Sequence, residues 1–282
     1  MNCRLLGLAN LYSISFAMFL YLFQIWMATL LSIMPKQSKE ICSQTNTAFN
    51  TGEKITYTIF YNVIGLYVNA GDAQFAVMSS KWEGESALAL TATGNSNRSY
   101  DWIFKVRDKY ESIVDSKTLL PYFFSRSINE GSFHQNQTLT FNQKTNEVMT
   151  QKGESFKTAD CTFDVISAVY AVRNLDFQHL EVNEKVYLNF FLDNELFPSY
   201  FKYLGKEIVQ TKFGKFKAIK IAPLLVKGSM FEGGERMTIW VTDDENHIPI
   251  RIETPIIVGS IKVDMKSYEG LRYPLSSMIE IE

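Results

Sequence analysis

The stretch KITYTIFYNVIG, Lys54–Gly65, decides how the chain is read. Ile55, Tyr57, Ile59 and Tyr61 alternate with Thr56, Thr58, Phe60 and Asn62. A period of two sends the two sets to opposite faces of a pleated strand, whereas a helix places its apolar residues three and four apart. Gly65 then suits a turn, and VNAGDAQFAVMSS reads as the returning strand.

Outward from that hairpin the same punctuation recurs. Lys81–Glu85, Asp115–Thr118 and Asn142–Asn146 are turn-rich breaks. Between them lie SALALTATG and the strand-like runs Phe104–Asp115, Leu119–Asn129, Phe133–Phe141 and Glu147–Lys152. The second half adds EKVYLNFFLDNELF, the hairpin KEIVQTKFGKFKAIKIAPLLV with Gly214 at its tip, ERMTIWVT, HIPIRIETPII and VGSIKVDMKSYE. One segment breaks the period. Asp160–Leu175 spaces Val165, Ile166, Val169, Tyr170 and Val172 as a helix does. Asp160 or Thr162 can cap its start, and Arg173 complements the dipole near its end. The expected fold is all-β: a mainly antiparallel, curved sheet, half-barrel or barrel, with one amphipathic helix near 160–175.

The chain has 282 residues, a formal net charge of −2, 46% hydrophobic and 14% aromatic content, which together describe a packed globule. A near-neutral balance argues against a nucleic-acid binder, which needs a basic patch to displace counterions from phosphate. After Arg4, Leu5–Met34 carries no charge. A secretory core of about 7–15 residues or a bilayer span of about 20 both fit, so 1–35 is read as signal peptide or membrane anchor. The polar 36–53 follows as a linker, and 54–282 as a single β-rich domain. Cys3 and Cys42 fall outside that domain, which leaves Cys161 alone and predicts no internal disulfide.

Chemistry is sparse. His134, His179 and His247 sit in no hydrolase motif, and no metal-ligand spacing or phosphate loop is present. The densest polar cluster, Thr242-Asp243-Asp244-Glu245-Asn246-His247, separates two alternating strands, and its Asp and Asn side chains are those a turn uses to bond its own backbone. Neither a cofactor nor a metal is therefore expected. Asp108, Glu111, Asp193, Glu195, Asp243 and Asp244 are the carboxylates from which an acid–base pair would be drawn. Lys212, Lys215, Lys217 and Lys220 read as guards of a strand edge. The aromatics weigh more. Tyr187, Phe190, Phe191, Phe197, Tyr200 and Phe201 crowd one region, and a one-sided sheet cannot bury both faces of it. They form either a two-sided core or the candidate apolar groove of a curled sheet.

GEKITYTIFYNVIGLYVNAGDAQF resembles the opening of an exported bacterial family known as domain of unknown function 3108. VRDKYESIVDSKTLLP, FDVISAVYAVRNL, LGKEIVQTKFGKFKAIKIAP and IWVTDDENHIPIRIE resemble its later pieces in order, so the likeness spans Gly52 to Gly270. The resemblance implies a mostly antiparallel β protein of the bacterial periplasm or cell envelope, with no assigned activity. The family pattern often has another basic residue where His247 stands, which implies that this histidine is replaceable. Residues and resemblance together lead to an expected non-enzymatic binding protein. Its partner would be a lipid, a glycan or an envelope protein, with no nucleic acid and with membrane contact through the N-terminal segment. An envelope glycan or lipid hydrolase and a structural assembly partner are the competing classes.

Overall fold

Period-two stretches become strands because each buries one face while its backbone pairs with a neighbour. The computed structural model describes residues 39–42, 45–63, 65–226 and 233–281. Its strands are β1 (Lys39–Glu40), β2 (Lys54–Val63), β3 (Leu66–Trp82), β4 (Glu85–Ser96), β5 (Arg107–Asp115), β6 (Pro121–Glu130), β7 (Phe133–Asn142), β8 (Glu147–Thr150) and β9 (Ser155–Lys157). After β10 (Thr162–Phe163) and the helix α1 (Val165–Val172) come β11 (Lys185–Leu192), β12 (Glu195–Gln210), β13 (Gly214–Pro223), β14 (Thr238–Thr242), β15 (Pro249–Pro255), β16 (Ser260–Glu269) and β17 (Met278–Ile281).

They form one sheet. Antiparallel pairing runs from β11 through β16 in order, crosses from β16 to β2, and continues to β9. β1 and β10 lie parallel to β11, and β17 pairs with the start of β13. The expected mainly antiparallel, curved architecture is what the chain adopts, but the sheet is not closed into a barrel. Among the described residues no backbone pairing joins β9 to β1, β10 or β11. The tip of the β11–β12 hairpin instead meets the far strands through side chains. Phe191 packs on Phe156 at 5.6 Å between ring centres, Gln137 donates to Asn194 at 3.0 Å, and Arg126 pairs with Asp193.

The alternation that opens the sequence holds only in part. Ile55 and Tyr57 are buried, but Phe60 of the alternate set is buried as well, while Ile59 and Tyr61 are only partly so. Beside it the register with β3 shifts, because β3 carries an unpaired residue, Ala70, between the partners of Ile59 and Phe60. One extra residue reverses the facing of the strand that carries it, so the alternation of β3 inverts at Ala70. Gly71 adjoins the extra residue in β3, where a Cβ would lie 2.1 Å from the Asn95 carbonyl oxygen, so only glycine fits.

The helix lies within the curve of the sheet. Its cap is Asp164, not Asp160 or Thr162: Thr162 already belongs to β10, paired to β11. Asp164 accepts from the Ile166 and Ser167 backbone N–H groups at 2.8 and 2.9 Å, and Ser167 Oγ reciprocates on the Asp164 N–H. Ser112 on β5 donates to the same carboxylate at 2.5 Å, which ties the helix start to the sheet. Ile166 and Tyr170 enter one core with Phe49, Leu90, Phe124 and Leu139. Ala168 and Ala171 enter a second with Phe163, Val186, Phe201 and Ile219. A third gathers Ile55, Tyr57, Phe216, Trp240 and Ile250.

Two sequence-based expectations fail at the N-terminal side. From Lys39 onward the segment read as a linker belongs to the packed body: Ile41, Ala48 and Phe49 are buried, and the Ile41 N–H donates to the Tyr187 carbonyl at 2.8 Å. That anchoring carries Cys42 to Cys161, and the two form a disulfide with Cα atoms 5.3 Å apart. Cys161 is therefore no lone buried thiol. The residues read as signal peptide or anchor lie outside the described residues. Among the described residues no helix is long and apolar enough to cross a membrane.

Candidate functional site

Helix α1 shows four small side chains on one stripe. Val165, Ala168, Val169 and Val172 recur at the spacing of one helical face. Opposite them stand Leu188, Phe190, Phe201, Ile221, Ile239 and Val241 of the sheet. Because the helix presents alanine and valine where the sheet presents larger groups, the layers do not fill the space between them. A cavity of about 360 Å³ remains, bordered by Pro223 at the end of β13 and by Leu224 to Val226 beyond it.

Polar groups are few here, and each is engaged. Ser199 Oγ donates to the Leu224 carbonyl at 3.0 Å. The Arg173 guanidinium is buried and forms two bonds to Glu53, at 2.6 and 2.8 Å. Its Nε donates to the Asn246 carbonyl at 3.1 Å, and the Phe49 and Tyr170 rings lie 5.1 and 5.3 Å from its centre. His247 Nδ1 lies 2.7 Å from the Arg173 carbonyl, which assigns the proton to Nδ1, and the ring packs edge-on against Phe177. Arg173 and His247 also border a second, polar hollow of about 230 Å³ with Thr47, Asp176, Glu245 and Tyr273. They form the partition between an apolar chamber and a polar one.

Burial, outweighing the bond to Arg173, holds His247 below its ordinary value of 6.5. Below that value the folded protein binds fewer protons than the unfolded chain. Stability is therefore full above it and declines as the medium acidifies towards the folded value. We expect the melting temperature of the native protein to fall between about pH 7.5 and about pH 5.5 by more than that of His247→Gln, which cannot titrate there. Parallel curves for the two proteins would exclude this assignment.

Of the aromatics singled out in the sequence, Phe190, Tyr200 and Phe201 border the apolar cavity. Tyr187, Phe191 and Phe197 do not. Phe191 belongs to the core on the other side of the helix, Phe197 stacks on Phe190, and Tyr187 is partly exposed beside Tyr200. The sequence reading missed the helix stripe and the β13–β14 connection, and it read His247 as a replaceable part of a turn. The stripe was legible as small residues at 165, 168, 169 and 172.

The acidic loop is the connection between β14 and β15, and its carboxylates have structural partners. Asp244 accepts from Thr242 Oγ1 at 2.8 Å and from the Asn246 and Ser277 N–H groups, while Asp243 takes Lys206 at 2.7 Å. Among the described residues no group of three or more Asp, Glu, His or Cys is placed to hold a metal ion. Of the other nominated carboxylates, Asp193 pairs with Arg126, and Glu111 lies 3.6 Å from Lys109. Glu195 lies opposite Leu192 in the β11–β12 pairing. Asp108 neighbours Glu130, whose carboxyl is pushed up by partial burial and then by Asp108, but neither residue lines the apolar cavity or the polar hollow.

With this geometry in view, comparison with protein families matches residues 56–266 to the family described as "Protein of unknown function (DUF3108)". The chain belongs to the DUF3108 family. No curated protein matches it. A solved β-barrel-like protein of domain of unknown function DUF1849 from Brucella abortus is similar to this DUF3108 chain at 9% identity, over 80% of this chain and 100% of that one, with a TM-score of 0.52. A protein with YmcC-like fold from Bacteroides fragilis NCTC 9343 shares 9% identity over 80% of this chain and 99% of that one, with a TM-score of 0.34. The first likeness concerns the fold alone.

Proposed function

We propose that this DUF3108 protein is an exported, non-enzymatic binding protein of the bacterial envelope that holds an apolar chain, such as the acyl group of a lipid, between α1 and the sheet. One observation carries the reading: the cavity wall is apolar, and its few polar groups already have partners. Unsatisfied polar groups are what a buried saccharide needs, so the chamber favours a lipid over a glycan. Its volume of about 360 Å³ falls in the range of about 300–1,000 Å³ common to small-molecule sites. The apolar N-terminal run supports export, and so does the Cys42–Cys161 disulfide, because such bonds persist in oxidising compartments.

The test is occupancy of the chamber. Native mass spectrometry of protein purified from its own host is expected to show a bound lipid mass. Ala168→Phe places a ring in the space and is expected to weaken binding of cis-parinaric acid by about tenfold or more, or ~1.4 kcal/mol, with the melting temperature retained. Unchanged parinaric acid affinity in a folded Ala168→Phe protein would remove the chamber from the account. Turnover of an envelope lipid or glycan by the purified protein would favour the hydrolase class instead.

A further inference from the structure

Antiparallel strands put their connections at two ends of a sheet, and here one run of neighbouring connections differs in chemistry from the rest. Four neighbouring connections at one end join β15 to β16, β2 to β3, β4 to β5 and β6 to β7. Register places them side by side: Ser260 faces Asn62, Gly71 faces Ser96, and Val106 bridges to Glu130. Every one of them projects large apolar side chains into solvent. Val258 is 64% exposed, Leu66 72% and Trp102 83%, and Ile257, Ile103 and Phe133 are exposed beside them. At the opposite end the connections are polar, built on Glu83, Lys117, Lys144, Lys212 and Glu245.

Turns in water are ordinarily polar, and apolar residues scattered singly over a surface are normal. A contiguous arc of them confined to one end is neither, and such patches mark contact surfaces. The arc is also held in place. In the β4–β5 connection Ser96 Oγ donates to Asp101 at 2.5 Å, Arg107 pairs with Asp101 at 2.6 Å, and Trp102 Nε1 donates to the Ser99 carbonyl at 3.0 Å. The indole is therefore presented outward by an ordered loop. Arg98 and Lys105 flank it, exposed and in no ion pair with a described carboxylate. Asp101 is neutralised by Arg107, and Asp108 and Glu130 stand behind the tips in the strands.

Separate tips bearing an indole, a phenyl ring and branched aliphatics, with cations beside them, match the boundary between headgroups and acyl chains. Tyr and Trp partition to that depth, and lysine and arginine meet anionic phosphates there. We propose that this end of the sheet docks on an anionic lipid bilayer, with the four tips entering its interface. The inference is independent of the cavity and of the N-terminal apolar run.

Tryptophan fluorescence tests it in the full chain, which has four tryptophans. Trp26→Phe removes the signal of the N-terminal run, leaving Trp102 at the docking end. Trp82, stacked at the polar end, and the buried Trp240 act as internal controls. The Trp26→Phe protein is reconstituted with vesicles of phosphatidylethanolamine and phosphatidylglycerol whose chains are brominated near the headgroup. We expect partial quenching, and we expect it to vanish when Trp102→Phe is added, the fold being checked by circular dichroism. Quenching that survives Trp102→Phe, or no quenching at all, overturns the proposal and leaves the arc to a protein partner. Equal quenching in brominated phosphatidylcholine vesicles overturns the anionic requirement.

Discussion

Glu53→Ala is expected to destabilise the protein by about 3–5 kcal/mol, the largest loss we anticipate from a single side chain. Glu53 and Arg173 are almost wholly removed from water, and two bonds at 2.6 and 2.8 Å join them. Removing the carboxylate strands a guanidinium in the interior with one carbonyl, that of Asn246, and two ring faces. Breaking a buried pair on one side costs far more than the pair's net worth, because the remaining charge has been stripped of solvent. Urea unfolding measures the loss. Adding Arg173→Met to Glu53→Ala is expected to recover much of it, since no charge is then left uncompensated. A loss below about 1 kcal/mol for Glu53→Ala would mean that the guanidinium reaches water or another anion. The pair also fixes the cavity floor, so the single variant should disturb ligand retention while Trp102 variants should not.

Reduction of the Cys42–Cys161 bond is the second large effect. The two cysteines are 119 residues apart, so the bond closes a long loop in the unfolded chain. Chain-entropy arguments assign about 4–5 kcal/mol to a loop of about 100 residues, and measured values centre on about 2–4 kcal/mol. Cys42→Ser is therefore expected to lower the unfolding free energy by about 2–4 kcal/mol. Dithiothreitol should do the same to the native protein and nothing further to the variant. Mass spectrometry after alkylation checks the bond itself, and two free thiols in protein taken from its native compartment would contradict it.

Both effects involve the stretch that was hardest to interpret in advance. Lys54–Gly65 revealed its strand because alternation is a local signal, and the hairpins up to Asn146 did so for the same reason. Ile41, Ala48 and Phe49 are isolated apolar residues in polar surroundings, so no period betrayed their burial. Contacts across more than a hundred residues, such as Cys42 to Cys161 and Glu53 to Arg173, leave no trace in spacing at all. The bulge at Ala70 shows a further limit, since one inserted residue inverts the faces of β3 without altering the composition. The site was half legible for a related reason. Alternation identified an aromatic surplus at 187–201. It put Phe190 and Phe191 on opposite faces but could not say that both faces are covered, because that depends on how the β11–β12 tip lies against β6, β7 and β9.

That tip has a mechanical consequence. Parting any two adjacent long strands of this sheet means severing a ladder of backbone hydrogen bonds. Lifting the β11–β12 tip from the far strands means rupturing the Arg126–Asp193 and Gln137–Asn194 pairs and the Phe156–Phe191 contact, with every ladder left intact. This joint, closed among the described residues by side chains and not by a backbone ladder, lies where the wall of the apolar chamber begins, at Leu188, Phe190 and Leu192. Opening there leaves the strand pairing whole, as a clasp opens without cutting its band.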